Sequence, residues 1–458
     1  MDKEAGLHIV VLPWIHYSHL HSFLHLSRLI AQLGHRISFL SIPSLVQSLA
    51  ASHSDLPPLV HLVPLHFDMH DDALEAALAA FLESASPPPD WIIFDFIPHW
   101  VPRVAARLGV PCAFVCLIGA AASALSWPAV SLAADGGQVM PEHLAGPTGR
   151  FPFPTSLAYR PYEARQVVRD MFEPNQLGAS WGSRGGLAIR GCDVVAVRSS
   201  PELEAEWLAL LEPLYRKPVL PLGHFPPTAP AKTDPECDYI FEWLGKQEAG
   251  TVVCVALGTS VSLNQEQTRE IARGLELSGL PFLWVLRSSE SESETLLHET
   301  GGRGLVWKGW APQVGILGHP SVGGFLTHCG WSSLVEALQF GLALVLLPLA
   351  YDQGLNARLM VEKKVGAEVP RNEEDGSFVG EDIARTVRLV MVDREGEGCR
   401  NRAKELSRVL GSKEVHDRHV RNFLKLAADH ARQLNTLIGI EGRKLYSYRG
   451  ILSCKLSL

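Results

Sequence analysis

The chain predicts an α/β protein built from two doubly wound parallel-sheet domains, and three observations predict it. Short apolar runs of the kind that form fully buried parallel strands recur in both halves, among them His8–Leu12 (HIVVL), Ile37–Ser41, Trp91–Asp95 (WIIFD), Asp193–Val197, Val252–Leu257, Phe282–Leu286, Gly323–Thr327 and Ala343–Leu347. Segments with helical spacing alternate with them, a rhythm that gives strand–helix–strand units. A proline-rich stretch, Lys217–Pro235 (KPVLPLGHFPPTAPAKTDP), interrupts the alternation and makes the best boundary. The expected division is 1–216, a linker 217–235, 236–430, and a tail 431–458.

The elements follow in order. After the HIVVL strand, Phe23, Leu26, Leu29, Ile30 and Leu33 share one helical stripe, and Gly34 stops that helix before the next strand. From Asp55 to Ser86 the chain is brief, running from Leu59–Leu65 directly into HFDMHDDALEAALAAFLES. Between Val115 and Arg190 the signals are weak, and Gly-, Pro- and Ala-rich pieces read as loops. In the second half, helices are expected from about Asn264 to Leu277, Ser333 to Phe340, Asn356 to Glu362, Asp382 to Met391 and Arg400 to Leu410. No repeat of solenoid period is present.

Composition narrows the function. A length of 458 residues allows two full cores, and 47% hydrophobic with 20% charged residues is ordinary for a globular protein. A formal net charge of -8 gives no electrostatic footprint for nucleic acid. The eight cysteines are scattered without metal-ligand spacing, which fits a reducing compartment. The first residues pass from charges into a strand without a secretory segment, and no apolar run approaches a membrane span. Cys454 is not placed for prenylation. A cytosolic protein is expected.

The stretch from Trp310 to Gln353 carries most of the chemistry. A buried strand, GGFLT, ends in the turn His328-Cys329-Gly330-Trp331-Ser332-Ser333, and a helix follows. Backbone N–H groups at a helix start, two hydroxyls and an imidazole make an anion site suited to a diphosphate. Trp310 offers a flat face for a base, Glu336 lies one turn into the helix where ribose hydroxyls would fall, and Asp352 with Gln353 follow the next strand, placed for sugar hydroxyls. The alternative for this stretch is a structural Gly- and Trp-rich loop of an ordinary doubly wound domain.

A second constellation lies in the first half. His19 sits in the loop Pro13–Leu20 (PWIHYSHL) at the start of a helix, where the dipole disfavours the imidazolium and keeps the ring basic. Asp95 ends another strand, and two parallel strands of one sheet would bring both residues to the same rim. The carboxylate there could orient the imidazole and stabilise its cation. The bland readings are a surface or packing role for His19, one of 19 histidines, and a capping role for Asp95.

The stretch Trp310–Gln353 resembles, over its full length, the signature box of the family-1 plant UDP-dependent glycosyltransferases, W-x-P-Q…H-x-x-x-G…H-C-G-W-N-S…E…G…P…D-Q. The resemblance covers about residues 7 to 430. It implies the GT-B fold, two Rossmann-like doubly wound domains facing a cleft, with 1–216 binding the acceptor and 236–430 the UDP-sugar. It assigns uracil recognition to Trp310 and Gln313, with Ala311 between them in the donor site, ribose to Glu336, phosphates to His328 and Ser333, and sugar to Trp331, Asp352 and Gln353. Thr259, in VALGTS, stands where the family often has Ser against the diphosphate, and Ser332 where it has Asn. PWIHYSHL and IIFDFIPHW resemble the loops bearing the family's catalytic histidine and partner aspartate, so His19 and Asp95 take those roles; Ser18 and Ser22 replace the common Gly and Pro.

The reaction so implied is inverting transfer of a hexose, glucose above others, from a UDP-sugar to a hydroxyl of a flavonoid or terpenoid glycoside. The UDP-sugar is a co-substrate; no cofactor, no metal and a monomer are expected. A UDP-rhamnose user and a non-catalytic UDP-sugar-binding homologue are the alternatives. Past His430 the resemblance fades into a basic tail, read as an extension or a misread exon.

Overall fold

Every strand of the chain that the sequence reading identified lies in one of two all-parallel sheets. The computed structural model describes residues 6–53, 55–65, 71–145, 151–175, 178–227, 235–258, 262–286 and 303–440, without the side chains of 235 and 430–440. The first sheet holds β1 (His8–Leu12), β2 (Arg36–Ser41), β3 (Val60–Pro64), β4 (Trp91–Phe94), β5 (Cys112–Cys116), β6 (Val194–Val197) and β7 (Val219–Pro221) in the order β3-β2-β1-β4-β5-β6-β7. The second holds β8 (Val252–Ala256), β9 (Phe282–Leu286), β10 (Gly304–Lys308), β11 (Val322–Thr327), β12 (Ala343–Leu346) and β13 (Gly366–Glu368) in the order β10-β9-β8-β11-β12-β13. Each order reverses direction once, between β1 and β4 in the first sheet and between β8 and β11 in the second. Ligands of open α/β sheets bind at such points, beyond the carboxyl ends of the strands.

Residues group into two compact units. The first comprises Met1–Val139, Met171–Phe225 and Lys413–Leu458, and the second Met140–Asp170 and Pro226–Ser412. The core of the first is built on Ile9, Val11, Phe23, Phe39, Trp91 and Ile93, and the long helix Lys413–Ile440 adds Val420, Phe423, Leu424 and Ala427 to it. The indole N–H of the buried Trp91 donates to the carbonyl of Ala427 at 3.0 Å. The second core gathers Val253, Val255, Trp284, Leu326, Val345, Ile383 and Val387.

Between Val115 and Arg190, where the sequence signals are weak, the chain forms the helices Ala120–Ala134, Pro141–Leu144, Pro161–Val167 and Trp181–Gly191, while the described part of the Gly- and Pro-rich piece 135–154 is loop apart from the short helix Pro141–Leu144. The first of these four helices is Ala-rich and buries Ala120, Ala121, Ala122, Ser123, Ala124 and Leu125 in succession, so it has no polar face to reveal a helical period. Its start is capped from elsewhere: the buried Glu204 carboxylate accepts the N–H groups of Ala120 and Ala121 at 3.1 and 2.8 Å. No described helix is long and apolar enough to cross a membrane. The tail beyond 440 lies outside the described residues.

Candidate active site

The first unit brings His19 and Asp95 together. Strands β1 and β4 are hydrogen-bonded neighbours with Leu12 opposite Phe94, so the residues after both strands leave the same edge of the sheet. The helix Tyr17–Gln32 starts five residues beyond β1, with His19 in its first turn. His19 Nδ1 lies 2.7 Å from Asp95 Oδ2. The carboxylate also accepts the backbone N–H of Trp14 at 3.1 Å and of Phe96 at 2.7 Å, and Asp95 is 1% exposed. Three donors fix its orientation in a buried site. Hydrogen bonding to the carboxylate puts the imidazole proton on Nδ1 and the basic lone pair on Nε2. The bond from Phe96 ties the carboxylate to the segment that follows it, although the next helix, Val101–Leu108, has its N-cap at Trp100 and is not capped by Asp95.

Aromatic rings border this pair. Phe96 lies 5.7 Å from the His19 ring, Trp181 lies 6.3 Å from Phe96, and Trp14 lies 5.8 Å from Trp181. Behind them Arg184, 1% exposed, donates to the carbonyl of Ile97 at 3.1 Å and pairs with Asp71 at 2.7 Å. Trp14 and Phe96 adjoin motif residues and could have been found from the sequence. Trp181 and Arg184 fall in the weak-signal region, where nothing marked them.

The second unit assembles the box. β11 lies between β8 and β12, and its carboxyl end delivers His328, Cys329 and Gly330 to the start of the helix Trp331–Leu338. Cys329 has φ 67°, a left-handed conformation that non-glycine residues adopt at a cost and that clusters at functional turns. The His328 ring sits between two glycines: a Cβ on Gly258 or Gly330 would come within 2.4 or 2.5 Å of Nε2. Any side chain at either position would evict the imidazole. Burial pushes the His328 pKa down to about 4, so the ring is neutral near pH 7 and has a hydrogen bond rather than a charge to offer. Ser333 is buried beside it and Ser332 is half-buried. Thr259 lies outside the described residues.

The rest of the box falls into order around that turn. Trp310 is 58% exposed, presenting most of its indole to solvent, and Ala311 and Gln313 behind it are half-buried. Gln313 Nε2 donates to Glu336 Oε2 at 2.7 Å, so the residues expected to meet the base and the ribose are joined directly. Trp331 is 5% exposed, packed into the start of its helix. Gln353, 3% exposed, spends its side-chain carbonyl on the N–H groups of Leu349 and Ala350, both at 2.9 Å.

One residue the sequence reading passed over ties these parts together. Asn356, 1% exposed, uses Nδ2 to donate both to the carbonyl of Cys329 at 3.1 Å and to Asp352 Oδ2 at 2.9 Å. It links the His328–Ser333 turn to the Asp352 carboxylate. Among the described residues no three His, Cys, Asp or Glu side chains converge as a metal site would require.

Known proteins share this architecture and much of this sequence. The family model for UDP-glucoronosyl and UDP-glucosyl transferase matches residues 210–415. UDP-glycosyltransferase 91C1 of Arabidopsis thaliana is 39% identical over 449 residues, spanning 92% of this chain and 97% of the relative. The chain belongs to the UDP-glycosyltransferase family. Soyasaponin III rhamnosyltransferase of Glycine max is 32% identical, across 92% of this chain and 96% of its own. The crystal structure of Os79 from O. sativa in complex with UDP superposes with a TM-score of 0.76 at 25% identity, covering 93% of this chain and 99% of that one. The GT-B fold expected of a UDP-glycosyltransferase is the fold observed.

Proposed function

We propose that this glycosyltransferase moves glucose from UDP-glucose to a hydroxyl of a small plant glycoside, with inversion at the anomeric carbon. The observation that carries the reading is the His19–Asp95 pair at the β1/β4 reversal, a base already oriented by a buried carboxylate. His19 Nε2 takes the acceptor proton as the oxygen attacks the anomeric carbon in line with the departing UDP. Asp95 stabilises the imidazolium that forms. Charge develops on the diphosphate as it leaves, and the N–H groups at the start of the helix Trp331–Leu338, with Ser333 and the neutral His328, are placed to receive it. Trp310 and Ala311 border the uracil, Gln313 and Glu336 hold base and ribose, and Trp331, Ser332, Asp352 and Gln353 address the phosphates and sugar. Neither a cofactor nor a metal enters this scheme.

Gln353 supports glucose as the sugar, and the aromatic border of His19 suits a ring-bearing acceptor. A UDP-rhamnose donor is the second reading, favoured by the rhamnosyltransferase among the relatives. The test is UDP release from UDP-glucose and from UDP-rhamnose, with and without a panel of flavonoid and terpenoid glycosides, beside His19→Ala. Acceptor-dependent release that vanishes in the variant is expected. Release unchanged in the variant would remove His19 from the mechanism. UDP binding without any release would mark a non-catalytic homologue.

A further inference from the structure

The sugar-end pair Asp352–Gln353 is held by a segment that the signature box does not contain. Residues 155–170 belong to the second unit although they precede the linker in the chain and residues 171–225 between them belong to the first. The 155–170 segment runs alongside the helix Gln353–Glu362 in the opposite direction. Ser156 meets the far end, its N–H and hydroxyl donating to Glu362 at 2.6 and 2.7 Å. One helical turn nearer the sugar end, Glu163 Oε1 and Oε2 receive Arg358 at 3.2 and 2.5 Å. Closer still, a Cβ on Gly354 would fall 2.3 Å from Glu163 Oε1, so the segment presses on the residue directly after Gln353. At the near end, burial and then the Asp170 carboxylate push the Tyr351 phenol pKa up.

Two consecutive residues of this segment brace both flanks of the pair. Glu163, 7% exposed, grips the helix that Gln353 begins, and Glu368 completes the ion-pair cluster by meeting Arg160 at 2.6 Å and Arg358 at 3.6 Å. Tyr162 lies under Arg371, whose guanidinium stands 5.6 Å from its ring centre and 5.3 Å from that of Phe378. Arg371 donates to the carbonyl of Pro348, and the next two N–H groups, of Leu349 and Ala350, are those that fix the Gln353 carbonyl. Tyr351, between these flanks, has φ 54°, a conformation that persists only where its surroundings enforce it.

We propose that Tyr162 and Glu163 are positioning residues for the donor's sugar, setting the geometry of Asp352 and Gln353 from outside the signature box. This rests on the assignment of Asp352 and Gln353 to the sugar. Among the described residues, the hydrogen bonds, ion pairs and ring contacts of Tyr162 and Glu163 go to Arg160, Arg358 and Arg371 and not to the residues assigned to uracil, ribose or phosphate. Their loss should therefore weaken a UDP-sugar while sparing UDP, a separation that a general loss of folding would not produce.

Calorimetric titration of the full chain with UDP, UDP-glucose and UDP-rhamnose tests it, comparing wild type with Glu163→Gln, Tyr162→Leu and Asp352→Asn. Glu163→Gln keeps side-chain shape while removing the charge, its folding is checked by thermal melting, and it serves if Tyr162→Leu does not fold. Expected is a loss of at least fivefold in affinity for the better-bound UDP-sugar, with UDP within twofold of wild type. Parallel loss of UDP and UDP-sugar, or no change in either, overturns the proposal. If Asp352→Asn is selective for the UDP-sugar and Glu163→Gln is not, the sugar assignment stands and the bracing role alone fails. If Asp352→Asn is itself not selective, both fall together.

Discussion

At the scale of single residues, the Asp95 carboxylate decides which nitrogen of His19 is basic. It accepts from Trp14, Phe96 and the His19 ring together and, being acceptor-only, has no donor to offer the Nδ1 lone pair of a wrong tautomer. Asp95→Asn would set an amide N–H against the imidazole N–H, and the ring would relieve the clash by moving its proton to Nε2. Transfer should then fall about 10²–10⁴-fold, as for loss of a general base, with UDP affinity within twofold of wild type. Steady-state rates beside UDP titration check this, and equal losses in both would show a folding defect instead. Asn356 makes the opposite prediction, because it braces the donor side. Asn356→Asp would replace two donated hydrogen bonds by a carboxylate facing the Cys329 carbonyl and the Asp352 carboxylate. Binding of UDP and of UDP-glucose should both weaken, by about tenfold or more, since leaving buried polar groups unpaired costs on the order of 1–3 kcal/mol. Titration of both ligands distinguishes it from Glu163→Gln, which should act on the UDP-sugar alone.

At the scale of elements, the helix Lys413–Ile440 is docked through buried histidines. His224, wholly buried after β7, places Nε2 3.0 Å from Ser200 Oγ and gives its backbone N–H to His416 Nδ1 at 3.2 Å. Burial first, then the charges of His416, Arg198 and His419, holds its pKa well below the ordinary histidine value. The folded protein keeps this ring neutral, whereas an unfolded chain protonates it below about pH 6.5. Its contribution is therefore fully present above that pH and lost as pH falls. Stability should decline as pH falls from 7.5 to 5, and urea unfolding of His224→Gln should show a shallower decline over the same range. A decline as steep as wild type would clear His224 of the effect. Nothing in the sequence marked this docking, because a histidine's neighbours from distant segments leave no local pattern. The same holds for the Ala120–Ala134 helix, whose cap, Glu204, is supplied from 84 positions away, and for Arg184 and Trp181. What could be read were features written locally: buried strands as unbroken apolar runs, and a binding turn as one contiguous box. His19 and Asp95 became a pair on paper because each ends or follows a strand of one sheet. The left-handed Cys329 and the brace of Asn356 needed the fold before they could be seen.

At the scale of the whole molecule, the chain does not fill its units in order. Segment 140–170 sits in the second, 171–225 in the first, and the residues from Lys413 return to the first, although the linker at 217–235 is where composition changes. Periodicity identifies what a segment forms and says nothing of the core it joins, so the helix that follows Ser412 reads from the sequence as a continuation of the second half. Its apolar face, Val420, Phe423, Leu424 and Ala427, nevertheless completes the core around Trp91 and Ile93. Phe423 is fully buried, its ring 6.3 Å from that of Trp91. Phe423→Ala should cost about 3–5 kcal/mol, the usual penalty for removing a buried phenylalanine. Since this core underlies β1 and β4, the loss should fall on the sheet that carries His19 and Asp95, while the box from Trp310 to Gln353 draws on a separate core. Phe423→Ala should therefore lower the temperature at which transfer is lost while leaving UDP affinity at 20 °C within twofold of wild type. A variant with wild-type transfer stability would mean that the last helix is peripheral to the core, and one that lost UDP binding at 20 °C would mean that the two cores do not fold separately.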